Sequence, residues 1–81
     1  MKIYVVLSEF DVYNKGYAKT EKAFYSKQDA ELYKAKTDEK YNALKANCDD
    51  KYIHQKFDDV TEEEHEAYKW EETRIEEIEI I

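Results

Sequence analysis

"SKQDAELYKAKTDEKYNALKANC", Ser26 to Cys48, is the stretch on which the fold turns. Ser26 precedes an apolar-periodic run and Asp29 follows three residues on, a variant of the capping-box spacing, so a helix is expected to start there. Ala30, Tyr33, Thr37, Tyr41, Leu44 and Cys48 recur at intervals of three and four. Lys27, Glu31, Lys34, Asp38 and Lys45 lie largely off that stripe. A helix of this pattern packs one side on an apolar layer and turns the other to water.

The layer it needs lies upstream. "KIYVVLSEF", Lys2 to Phe10, carries β-branched and aromatic residues at nearly every position, the mark of a strand with both faces at least partly covered. Ile3, Val5 and Leu7 share one face, and Tyr4 and Val6 the other. "DVYNKGY" follows, with Asn14 and the single glycine, Gly16, both turn formers tolerant of positive φ. A second strand from about Tyr17 to Tyr25 then makes an antiparallel hairpin with a loop of several residues.

Downstream, "NCDDKYIHQKFDD" reads two ways: Ile53, Gln55 and Phe57 alternate as in a strand, while Tyr52 extends the helical stripe from Cys48. The expectation is a helix end, a turn and a short extended piece. Thr61 followed by Glu64 matches the capping box, and Glu62 and Glu63 place negative charge where a helix dipole favours it. A short second helix follows from that. "TRIEEIEII", with Ile75, Ile78, Ile80 and Ile81, predicts a final, bulged strand, with a helical continuation as the alternative. The expected fold is therefore α+β, in the order β-β-α-α-β. It is a small three-stranded antiparallel sheet with one long and one short helix, mainly on one face.

Length and composition bound the function. At 81 residues the chain is expected to form a single domain, residues 1–81, with little room for a large enclosed active site. Leu, Ile, Val and Phe number only 16 of 81, but eight tyrosines and Trp70 restore the apolar area needed for a core. Cys48 is the single cysteine, so no intramolecular disulfide is possible, and "IYVVL" is too short for a signal-peptide core or a membrane span. A cytoplasmic location is the expectation.

The charge is unevenly placed. Residues 1–60 hold 11 acidic and 11 basic side chains, whereas residues 61–81 hold 9 acidic ones against Lys69 and Arg74. The whole net charge of −7 therefore sits in the last stretch, which begins "TEEEHEAYKWEE", Thr61 to Glu72. Such asymmetry argues against nucleic acid or an anionic membrane as a direct partner and for a basic protein surface.

Catalytic and metal readings fare less well. "HEAYK", His65 to Lys69, begins like a zinc-peptidase motif but has Lys69 where the second histidine is required. "DDVTEEE" lacks the alternating ligands and glycine turn of a calcium loop, and a chain with one glycine has no phosphate-cradling loop. No catalytic residue, metal ligand or cofactor is expected, and the chain is not expected to be an enzyme. The carboxylates serve at least as a solvated surface that discourages edge-to-edge aggregation. Their functional reading is recognition of a basic groove by Glu62, Glu63, Glu66, Glu71, Glu72 and Glu76. Tyr68, Trp70 and Tyr52 would supply aromatic anchors, although core packing is the competing role for Trp70.

The frame "KIYVV…AFYSKQDAELYKA…RIEEIEI" resembles small uncharacterised acidic α/β proteins of bacteria and phages. In these a Tyr-Val-Val strand, a Phe-x-Ser element before the helix and a closing acidic strand recur. The resemblance covers about 40 residues in three pieces and implies the fold; Asn47 to Trp70 departs from it as an insertion, where a particular activity would sit. Twelve lysines against one arginine also suit a phage gene product. In kind, the chain is similar to phage-encoded anti-defence inhibitors such as anti-CRISPR and anti-restriction proteins, some of which mimic DNA. That likeness implies an inhibitor that binds a basic host or defence protein, such as a nuclease, through an acidic, partly DNA-mimicking surface. The alternative is a homo-oligomeric structural or regulatory module, paired through the face bearing Tyr4 and Val6 or the edge near Ile78 to Ile81.

Overall fold

A computed structural model describes residues 1–12 and 15–80, the side chain of Val12 excepted. Two strands, β1 (Lys2–Val12) and β2 (Lys15–Phe24), lead into the long helix α1 (Lys27–Ile53). A single 3-10 turn (Phe57–Asp59), the short helix α2 (Glu62–Tyr68) and the strand β3 (Trp70–Glu79) complete the chain. The sheet is antiparallel in the order β2-β1-β3, so the expected β-β-α-α-β arrangement is the one observed. The most apolar strand, β1, takes the centre, where both its edges are hydrogen-bonded and one face is roofed by helix.

The hairpin is tighter than expected. β1 and β2 pair as far as Val12 opposite Lys15, so Gly16 lies inside the second strand opposite Asp11, without positive φ. A Cβ at Gly16 would meet only the Phe10 carbonyl oxygen at 3.9 Å, an ordinary contact. The turn-forming role expected of Asn14 falls outside the described residues, as does Ile81.

Side chains sort between the two faces, although Leu7, on the face without helices, is also buried. Val6, Ser8 and Phe10 are fully buried beneath the helical layer, and this face also carries Tyr4. The face bearing Tyr4 and Val6 is thus roofed by the helical layer and unavailable to a second copy. The face left uncovered carries Ile3, Val5 and Glu9, with Ile78, Glu76, Arg74 and Glu72 beside them on β3. Each outer strand bulges once, β2 between the partners of Val6 and Leu7 and β3 between those of Glu9 and Phe10.

In β2 the extra residue is Glu21, which turns to the helix side and accepts the Tyr41 hydroxyl at 2.7 Å. Burial first, then that carboxylate, hold the Tyr41 hydroxyl well above the usual phenol range. The expected stripe of α1 is the buried one: Ala30, Thr37, Tyr41 and Cys48 are buried, with Tyr33 and Leu44 half-buried. Ser26 caps the helix by accepting the Asp29 amide at 3.3 Å.

Around Tyr41 the core closes. Its ring lies edge-on to Phe10 at 5.6 Å and stacks on Trp70 at 5.5 Å, with Ala67 and Leu44 filling the remaining space. Beneath them the Thr73 hydroxyl accepts the Trp70 indole N–H at 3.1 Å and shares a hydrogen bond with Ser8 at 3.2 Å. The polar atoms of this buried layer are therefore satisfied without water.

Helix α1 outruns the sheet, and this sets up the site. By Tyr41 it has already reached Phe10 and Trp70, at the end of the sheet where β3 begins. The rest of the helix, to Ile53, extends about 18 Å further at 1.5 Å per residue. Past Leu44, which still packs on that core, its apolar stripe continues at Cys48 and Tyr52, with Tyr17 of β2 lining a hollow beside Tyr52.

Candidate functional site

The overhang ends in a left-handed cap. Gln55 has φ 57°, its amide donates to the Tyr52 carbonyl at 3.1 Å, and the Lys56 amide donates to the Lys51 carbonyl at 2.8 Å. This is the Schellman arrangement, more often built on glycine because a side chain in that conformation costs about 1–2 kcal/mol. The extended piece expected across Ile53 to Phe57 is therefore absent. The alternation was overridden because Tyr52 and Ile53 belong to the helix and Phe57 opens the 3-10 turn.

The chain then doubles back as α2. Both halves of the expected capping box are made: the Glu64 amide donates to Thr61 Oγ1 at 3.1 Å, and the Thr61 amide donates to Glu64 Oε1 at 3.0 Å. Glu64 is only 4% exposed, and the same oxygen accepts Lys51 Nζ from α1 at 2.5 Å. Lys51 also donates to the Asp59 carbonyl at 2.8 Å, so one lysine ties the overhang to both the turn and α2. The Lys51 ammonium first, then the Thr61 amide, hold the Glu64 carboxyl below the ordinary range.

A group whose pKa is depressed on folding adds stability that is complete above its unfolded value, about 4.3 for glutamate, and lost as pH falls through the lower folded value. Melting temperature should therefore fall in mildly to strongly acidic buffer. Glu64→Gln should start lower and show a shallower acid slope, measured by thermal denaturation across that range. A variant with an unchanged slope would remove Glu64 from the acid response.

Two turns of α2 cannot roof the whole overhang. They cover Cys48, which is fully buried with its thiol pushed up by burial and by Asp49, but Tyr52, Ile53, Phe57 and Tyr68 remain exposed. Phe57 is 56% and Tyr68 52% exposed. Tyr52 joins them, with its ring 5.4 Å from Phe57 and 6.2 Å from Tyr68. Tyr52 also separates two shallow depressions. One, of about 480 Å³, is formed by Asp49, Tyr52, Ile53 and Tyr68; the other, of about 360 Å³, lies towards Tyr17, Phe57 and Glu62. Segment 49–69, which builds this end of the molecule, holds eight acidic residues against three lysines.

The expected binding residues do not form one surface. Glu62 and Glu63 are exposed on α2, Glu66 is half-buried and paired with Lys19 at 3.6 Å, and Tyr68 lies within the exposed aromatic cluster. Glu72 and Glu76 pair with Glu9 and Val5, on the sheet face turned away from the helices, and Glu71 is the extra residue of the β3 bulge. On that face Arg74 pairs with Glu9 at 2.8 Å. Trp70 offers a partner almost nothing: at 8% exposed, stacked on Tyr41, it belongs to the core. Its position opposite Phe10, at the first residue of β3, is what places it there.

Sequence reasoning missed Phe57 and Ile53, although two large apolar residues on either side of His54 and just ahead of a pair of aspartates, with no second apolar run to cover them, were a usable sign. Among the described residues no group of three or more His, Cys, Asp or Glu side chains is placed to hold a metal ion, and no helix is long and apolar enough to cross a membrane.

The class of molecule that emerges is a small α+β domain with a three-stranded antiparallel sheet and an aromatic, acid-rimmed end. No protein-family model matches the chain, and no curated protein or solved structure shows significant similarity to it.

Proposed function

We propose that this protein is a non-catalytic inhibitor, of phage or mobile-element origin, that docks on a basic nucleic-acid-handling protein of the host cell or its defences. It would act in the host cytoplasm, without a cofactor, and through protein contact rather than by binding nucleic acid or membrane itself. The observation that carries this reading is the coincidence of exposed Tyr52, Phe57 and Tyr68 with a segment, 49–69, that sums to −5. Aromatics left open at the surface bury large area on contact, and the surrounding carboxylates steer and select a positively charged partner. The single thiol, buried and raised in pKa, is held in its unreactive form, which is consistent with binding rather than covalent chemistry.

The test is recovery of tagged protein from its natural host cells, with co-purifying proteins identified by mass. Capture of a nuclease, polymerase or other nucleic-acid-binding protein, released on raising salt, is the expected result. Recovery of its own copies alone would replace this reading with self-association, for which the uncovered sheet face around Ile3, Val5 and the exposed Ile78 would be the surface.

A further inference from the structure

The 360 Å³ depression has walls unlike those of its neighbour, and its volume falls near the lower end of the range for ligand sites, about 300–1,000 Å³. Tyr17, Tyr52 and Phe57 line it together with the carboxyl-bearing Glu62 and Glu66. Tyr52 and Phe57 are inclined at 52°, so they make two walls rather than a stack. Tyr17, on β2, forms a third wall and is held in place by stacking on Phe10 at 5.2 Å. Four elements, β2, α1, the 3-10 turn and α2, thus turn aromatic rings and acid groups into one hollow.

The occupant follows from elementary electrostatics. Aromatic faces attract a cation within about 6 Å of the ring centre, and carboxylates attract it further. Glu66 is engaged by Lys19, whereas Glu62 has no ion-pair partner among the described residues. His65 and Lys69 also line the hollow, and with Glu66 held by Lys19 the carboxylate left to receive a cation is Glu62. An anion would meet those carboxylates, and a purely apolar group would cover Glu62 without satisfying it.

We propose that this hollow receives the guanidinium of an arginine from the partner, stacked against Tyr52 and Phe57 and hydrogen-bonded to the Glu62 carboxylate. Arginine fits better than lysine because its planar, weakly hydrated head stacks on rings while its N–H groups remain free to fork onto a carboxylate. The inference rests on reading the protein as a binder of basic partners, and it names the side chain that is read.

The test uses the whole chain and small probes, so it does not depend on knowing the partner. Amide chemical shifts are followed by NMR during titration with N-acetyl-arginine amide, the corresponding lysine amide, and the citrulline amide, a neutral isostere of arginine. Shifts centred on Tyr17, Tyr52, Phe57 and Glu62, strongest for arginine and absent for citrulline, are expected. Glu62→Gln, which keeps shape and fold, should weaken the arginine response about fivefold, and Glu72→Gln on the far face should not. Equal responses to citrulline or to lysine, or no response at the hollow up to tens of millimolar probe, would overturn the assignment. Partner capture that survives such a failure would leave the inhibitory reading intact, and arginine binding without any captured partner would separate the two in the other direction.

Discussion

Trp70→Ala should cost about 3–5 kcal/mol, as truncation of a buried aromatic does, and lower the melting temperature by more than about 10 °C. The indole fills the space between Phe10 and Tyr41, and its N–H satisfies Thr73, which in turn serves Ser8. Removing it opens a cavity and orphans part of a buried hydrogen-bonded pair at once. The Trp70 carbonyl accepts Lys45 Nζ at 3.1 Å, so the start of β3 is also pinned to α1 at this point. A domain of this size has a total stability of about 4–12 kcal/mol, and the loss is a large share of it. Tyr68→Ala, two residues earlier but half-exposed, should change stability by no more than about 0.5 kcal/mol. Thermal and urea denaturation of the two variants checks the contrast, and similar melting temperatures would mean that Trp70 does not hold the core.

The paired variant Phe57→Ala, Tyr68→Ala should reduce affinity for a captured partner about 100-fold while keeping the fold. Exposed aromatics at an interface centre are worth about 2 kcal/mol or more each when truncated, with incomplete additivity, and about 2.7 kcal/mol corresponds to that factor. Charge reversal at Glu62 should act differently, slowing association and flattening its salt dependence. Glu72→Lys, on the opposite sheet face, should be nearly inert. Surface plasmon resonance on the three variants separates these effects. An unchanged affinity of the paired variant, or an equal loss from Glu72→Lys, would move the contact surface away from the overhang.

Much of this architecture was legible in the residues. The α1 stripe, the Ser26 cap and the Thr61–Glu64 capping box are local patterns, written within a few residues of each other, and the structure makes each as spaced. The alternation of β1 correctly separated Tyr4 and Val6 from Ile3, Val5 and Leu7. Which of these faces the helices would cover was not legible, because both are apolar enough to be roofed. The Gln55 cap was hidden for a related reason: a glutamine gives no local sign that it will take up left-handed φ.

The candidate site divides along the same line. Composition alone shows that the excess negative charge gathers after residue 60 and that aromatics are interleaved with it. It does not show that a β-strand sends alternate side chains to opposite faces of a sheet that has been covered on only one, which parts Glu72 and Glu76 from Glu62 and Glu63. Nor does it show that Trp70 is drawn into the core while Tyr68 is left outside. That choice depends on where α2 ends and β3 begins relative to Phe10 and Tyr41.

By itself, then, the sequence determined the order of elements, the N-terminal helix caps, the buried stripe of α1 and the acidic character of the final quarter. These depend on neighbours three or four residues apart, or on composition, and need no knowledge of the rest of the chain. The tertiary structure alone decided that α1 would outrun its sheet, that α2 would be too short to cover the excess, and that Tyr17 would meet Tyr52 and Phe57 around one hollow. Those outcomes depend on the relative lengths and packing of elements far apart in sequence, and it is this mismatch of lengths that leaves an aromatic surface open beside unpaired acid.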